Sequence, residues 1–143
     1  MITVSKYTLI ASRILAALIF LMNGTNVISQ QLAVHEMAVH GVSPSLIPIA
    51  IWSARILQIV AGIALVLGVY PRIAALGLIA FLVPATLMAH PFWESVSTPL
   101  YPIQLINFFK NVCMCGGLLF IAGTIQQPTI LPGRGLQRTE DQK

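Results

Sequence analysis

Charge is what this chain has least of. Its 143 residues include eight Lys or Arg and only four Asp or Glu, so charged groups amount to 8%. A soluble domain carries about 25%, and a mean hydropathy of +0.85 with 57% hydrophobic residues cannot be folded around one small aqueous core. The solvent must be lipid. Cysteine is almost as scarce. Cys113 and Cys115 form a Cys-x-Cys in a helical stretch, where the two side chains point about 160° apart and cannot readily pair. A disulfide framework and a catalytic dithiol are therefore not expected. No P-loop, Rossmann glycine fingerprint or zinc-site spacing is present. Nor is there a ligand set for haem, flavin or iron–sulfur, which argues against an autonomous enzyme.

What is present is apolar length. Four stretches, 7–28, 46–69, 73–89 and 101–125, approach or exceed the roughly 20 residues that cross a hydrocarbon layer of about 30 Å. No long period-two alternation appears, so helices are expected rather than a barrel. The fold class is all-α, an integral membrane four-helix bundle occupying residues 1–125 as one domain, with 126–143 a flexible tail. The first stretch reads as a retained helix, because Arg13 interrupts it and Asn23-Gly24-Thr25-Asn26 follows in place of a small-x-small cleavage site.

Orientation follows from the cations outside the spans. Lys6, Arg72, Arg134, Arg138 and Lys143 fall on the side of the termini, and the other two loops hold neither Lys nor Arg. The positive-inside rule puts the N and C termini in the cytoplasm. The net charge of +4 forms no basic stripe interleaved with aromatics, so anionic lipid is expected as the partner of these cations and nucleic acid is not.

Polar groups inside the spans carry the functional signal, since ionisable side chains at membrane depth are costly. Arg13, Arg55 and Lys110 qualify, and no Asp or Glu accompanies them. At about 100° per residue, Gln104, Asn107 and Asn111 share one face of the last helix, with Lys110 on its flank. Arg55 and Gln58 share a face of the second span with Gly62, and His90 ends the third. Arg55 and Lys110 both lie roughly 10–15 Å below the outer surface, and Asn23 and Asn26 approach that level from below. The candidate binding residues are thus Arg55, Gln58, His90, Gln104, Asn107, Lys110 and Asn111. Two cations and several amides would suit an inorganic oxyanion, a lipid phosphate or a quinone head.

Plainer roles compete at each position. Amides commonly hold membrane helices together, and small residues such as Gly62, Gly116, Gly117 and Gly123 permit close packing. Arg13 is near enough to the cytoplasmic edge to snorkel. Glu36 or Glu94 can fold inward to neutralise Arg55 or Lys110. His35 and His40 are too few for a metal site, and none is expected. Pro84 removes a backbone donor in the third span and can kink it, widening the outer end near His90.

Several short motifs occur in order: Arg13 early in the first helix, Phe20 to Gly24, Gly41-Val42-Ser43-Pro44, Leu67-Gly68 before Arg72, Ala85-Thr86 leading to His90-Pro91-Phe92-Trp93, and Ile106-Asn107-Phe108-Phe109-Lys110-Asn111 before Gly116-Gly117. In that order and spacing the chain resembles the DoxX family, over nearly its whole length to Ile125, and most of all its small bacterial inner-membrane members. The resemblance implies a multi-pass protein of the bacterial inner membrane. In some relatives it also implies quinone-linked redox chemistry, as in a membrane subunit of a thiosulfate:quinone oxidoreductase or membrane partners of thiol and oxidative-stress enzymes. The family's Lys after the first-helix glycine and Glu in the second helix correspond here to Val27 and Gln58, so that opposite-charge pair is missing.

The reading that results is a redox-linked membrane subunit that binds a quinone or small oxyanion in the outer half of the bundle, with a membrane or peripheral partner protein supplying the redox centre. A non-catalytic scaffold or lipid-binding helper is the alternative. A small transporter, which four short helices allow only as a homo-oligomer, ranks last.

Overall fold

The computed structural model describes residues 5–124, and the tail expected over 126–143 lies outside them. The described residues form helices only: α1 (Lys6–Gly24), α2 (Gln31–Val39), α3 (Ile47–Leu67), α4 (Pro71–Ala89), a 3-10 turn at Phe92–Glu94, and α5 (Tyr101–Gly123). Helices α1, α3, α4 and α5 are each long and apolar enough to cross a membrane. Their ends fall within a few residues of the expected spans. The largest difference is at residues 25–28, expected as helix but folded into the turn that ends α1.

Turn chemistry explains where the helices stop. Gly68 (φ 72°) closes α3, its N–H reaching the Leu65 carbonyl at 3.2 Å while the Val69 N–H reaches that of Ala64 at 2.9 Å. This paired closure needs a left-handed residue. Asn26 (φ 64°) supplies one after α1, where it bonds to Asn23 and Val27 bonds to Met22. Proline lies in the first turn of α3, α4 and α5, where the missing N–H costs nothing. Helix α4 continues through Pro84 to Ala89.

The chain threads the bundle in series, α1 against α3, α3 against α4 and α4 against α5, and α1 barely touches α5. Helix α2 leans on α3 and α4. We call this end, which also holds the 3-10 turn, the α2 end, and the opposite one, with the α3–α4 turn, the terminal end. Close approach of α1 and α3 depends on glycine: a Cβ at Gly24 would come within 2.8 Å of Ile59, and one at Gly62 within 2.8 Å of Leu21. Gly116, Gly117 and Gly123 do not share this role, since among the described residues a Cβ on any of them meets nothing within 4 Å.

The apolar core is biased toward the terminal end. Leu65, Ala74, Ala75, Leu78, Leu118 and Ile121 are buried there, whereas α5 buries nothing between Tyr101 and Gly117. Only 17–28% of each span is buried within the protein, so most of the apolar surface is left for lipid. Near the α2 end the 3-10 turn is tied to α5 by aromatic contacts, with Phe92 5.1 Å from both Trp93 and Phe108 between ring centroids. Edge-to-face rings of this kind suit the membrane interface.

Candidate binding cavity

The Arg expected at the site has another role. Arg55 leaves α3 toward the end of α1, where its Nε donates to the Gly24 carbonyl at 2.9 Å, and its guanidinium lies 4.7 Å from the Trp52 ring centroid. The last carbonyls of a helix carry partial negative charge, and an aromatic face also attracts a cation. Arg13 does the converse. It is 5% exposed, and its guanidinium rests so close to Gly68 that a Cβ there would collide with it. Each of the antiparallel pair α1 and α3 therefore sends an Arg to the C-terminal end of the other. Arg13 is buried in the bundle, with its guanidinium at the terminal end beside Gly68.

Between the core and α2 lies a cavity of about 280 Å³. Its walls are apolar, including Phe20, Phe81, Leu82, Met88 and Met114, and seven polar residues reach it: Asn23, Ser29, Gln30, Glu36, Gln58, His90 and Asn111. Helical spacing puts them there. Gln58 follows the buried line of α3 with Ala61, Gly62 and Leu65, and Ala33, Glu36 and Met37 form the inward face of α2.

Hydrogen bonds fix most of these groups. Gln58, 1% exposed, accepts from Asn23 Nδ2 at 2.8 Å and donates from Nε2 to the Ala54 carbonyl at 3.2 Å. Gln30 Nε2 donates to Asn23 Oδ1 at 2.9 Å, tying the start of α2 to α1. Across the cavity Asn111 Nδ2 donates to Thr86 Oγ1 at 3.0 Å, and that hydroxyl donates to the Leu82 carbonyl at 2.7 Å. His90 Nδ1 is 2.8 Å from Gln104 Oε1. With Nδ1–H as donor, the neutral ring keeps Nε2 as an acceptor. One N–H each on Gln58 and Asn111, and Asn111 Oδ1, have capacity beyond the bonds they make here.

Of the seven expected residues, Gln58, His90 and Asn111 line the cavity, and Gln104 acts on it through His90. Arg55, Asn107 and Lys110 do not line it. Lys110 is exposed on α5. Glu36 does not neutralise Arg55 or Lys110, and neither does Glu94. Glu36 instead has His40 4.0 Å away and faces the cavity. Glu36 and Gln30 belong to the cavity although neither was a candidate. Their signal was the i, i+3, i+4 spacing of Ala33, Glu36 and Met37, which a nine-residue helix shows only weakly.

Residues 8–91, more than half of the chain, match the family model described as DoxX. The match covers α1 to α4 and stops before α5. The Escherichia coli (strain K12) inner membrane protein YphA is 31% identical over 71 residues, which is 50% of this chain and 50% of that protein. The chain thus spans about half the length of the curated relative it matches. No solved structure matches it. Four apolar helices with few charges, the capped α1–α3 pair and the sequence match over α1 to α4 lead to one conclusion: the chain belongs to the DoxX family.

Proposed function

We propose that this multi-pass inner-membrane protein is a redox-linked subunit whose cavity binds the head of a quinone or quinol, with a partner protein supplying the electrons. The carrying observation is the pairing of uncharged amide groups with apolar walls: Gln58 and Asn111 offer N–H donors, Asn111 Oδ1 offers an acceptor, as does His90 Nε2 in the tautomer that donates Nδ1–H to Gln104, and Phe20, Phe81, Met88 and Met114 surround them. A quinone presents carbonyl acceptors and becomes a hydroxyl donor on reduction, so it needs both kinds of partner. Pockets for such ligands are mostly apolar with a few convergent polar groups. An inorganic oxyanion fits less well, because among the described residues no Lys or Arg lines the cavity and Glu36 does, and a carboxylate repels an anion strongly in a poorly solvated space. On the orientation expected from the cations, the cavity lies in the outer half of the membrane.

The test is titration of the purified full chain in nanodiscs with a short-chain ubiquinone, a menaquinone analogue and thiosulfate, read by calorimetry. Saturable binding of one quinone is expected, weakened roughly tenfold by Asn111→Leu or Gln58→Leu, as loss of one hydrogen bond predicts. Lys110→Leu should leave it unchanged. Binding of thiosulfate without quinone, or of neither, would sink the proposal.

A further inference from the structure

Lys110 stands roughly 13 Å along α5 from Tyr101 at 1.5 Å per residue, well inside the apolar span. It is exposed and makes no hydrogen bond or ion pair with any described residue. At about 100° per residue, Ile106, Lys110, Cys113 and Gly117 fall on one stripe, roughly 130° from Leu118 and Ala122, which pack inward, and the stripe ends one turn after Gly117, where Ile121 is buried in the core. All four residues of the stripe are exposed, and a Cβ at Gly117 meets nothing within 4 Å. This face looks out of the bundle.

A lone cation toward lipid is costly and calls for a counter-charge. Its side chain can lean toward the α2 end, because Cα–Cβ bonds tilt toward a helix N-terminus. Leaning alone leaves the lower stripe unexplained. Elsewhere on its exposed surface α5 carries Phe109, Val112, Leu119 and Phe120, but one and two turns below Lys110 the stripe drops to Cys113 and Gly117. Small residues four apart let a second helix backbone approach closely, which lipid does not require. We propose that this face docks the transmembrane helix of a different membrane protein, one carrying an Asp or Glu at the level of Lys110.

A second copy of the chain does not meet the requirement. At the depth of Lys110 its spans contain no Asp or Glu, and a two-fold contact on this stripe would bring Lys110 toward Lys110. The inference does not depend on what the cavity binds.

The experiment reconstitutes the labelled full chain in phosphatidylcholine vesicles with a labelled polyleucine helix bearing one Asp at the depth of Lys110, or the same peptide with Leu there, and reads association by energy transfer. The Asp peptide should bind roughly tenfold more tightly than the Leu peptide. That advantage should vanish in Lys110→Leu and fall sharply in Gly117→Ile, which keeps the cation but blocks approach. Both positions are exposed, and an unchanged gel-filtration profile checks that the variants fold. Equal binding of the two peptides, or an Asp advantage that survives Lys110→Leu, overturns the proposal. So does loss of the advantage when phosphatidylglycerol is added, which assigns Lys110 to lipid phosphate, or Lys110-dependent energy transfer between copies of the chain, which assigns the face to self-association.

Discussion

Two arginines in lipid-bound helices are costly unless something answers their charge. Arg55 is answered by the Gly24 carbonyl at the end of α1, and Arg13 lies against Gly68 at the end of α3, where the helix dipole favours a cation. Gly68 is where this arrangement is least tolerant. Its φ of 72° is left-handed, and Arg13 occupies the space a side chain would need. Gly68→Ala should therefore destabilise the protein by about 2 kcal/mol or more, seen as a lower melting temperature in detergent. Gly116→Ala, with open space around it, should not lower it, because Ala is the better helix former. Equal losses in the two variants would show that Arg13 does not press on Gly68. The role of Gly68 is legible in the sequence, since Leu-Gly ahead of a Pro-Arg turn is a helix stop. That Arg13 fills the space beside it is not legible there, because the two residues are far apart along the chain and only the packing of α1 on α3 brings them together.

The helices differ in how firmly they are held. Helix α3 packs on both α1 and α4, and Gln58, Ala61, Gly62 and Leu65 are buried on it. Helix α2 has nine residues and none fully buried, and Gln30 bonding to Asn23 ties down its leading end. Local opening follows such differences. In detergent or nanodiscs, amide exchange in α2 should be far faster than in the middle of α3, and Gln30→Ala should widen the gap. Protection of α2 equal to that of α3 would mean that more than these contacts holds α2. A quinone bound beneath α2 should slow its exchange, which connects this measurement to the binding proposal. Helix α5 is intermediate, anchored by Leu118, Ile121 and Ala122 at one end and by aromatic contacts to the 3-10 turn at the other.

Across the whole molecule, the polar interior and the apolar core occupy opposite ends. If the cations outside the spans set the orientation, the α2 end faces outward. Single cysteines at Ser43 or Thr98, in a chain with Cys113 and Cys115 changed to Ser, should react with a membrane-impermeant maleimide in spheroplasts. One at Ser5 should react only after lysis. The reverse pattern would invert the bundle and move the cavity to the cytoplasmic half.

The number, length and helical nature of the spans were set by the sequence alone, because in lipid every backbone group must be satisfied within the helix and a run of about 20 apolar residues has few other solutions. Helical periodicity also grouped Gln58 with Arg55 and Gly62 on one face of α3, and Asn111 with Gln104 and Asn107 on one face of α5, and of these Gln58 and Asn111 line the cavity. Which cation faces what was decided by tertiary structure. Arg55 and Lys110 are at similar depth and equally uncompensated in the sequence, yet the end of α1 comes within reach of Arg55, while the stripe that carries Lys110 turns away from the bundle. Depth and periodicity are properties of one helix; a counter-charge belongs to its neighbour, and only packing chooses the neighbour.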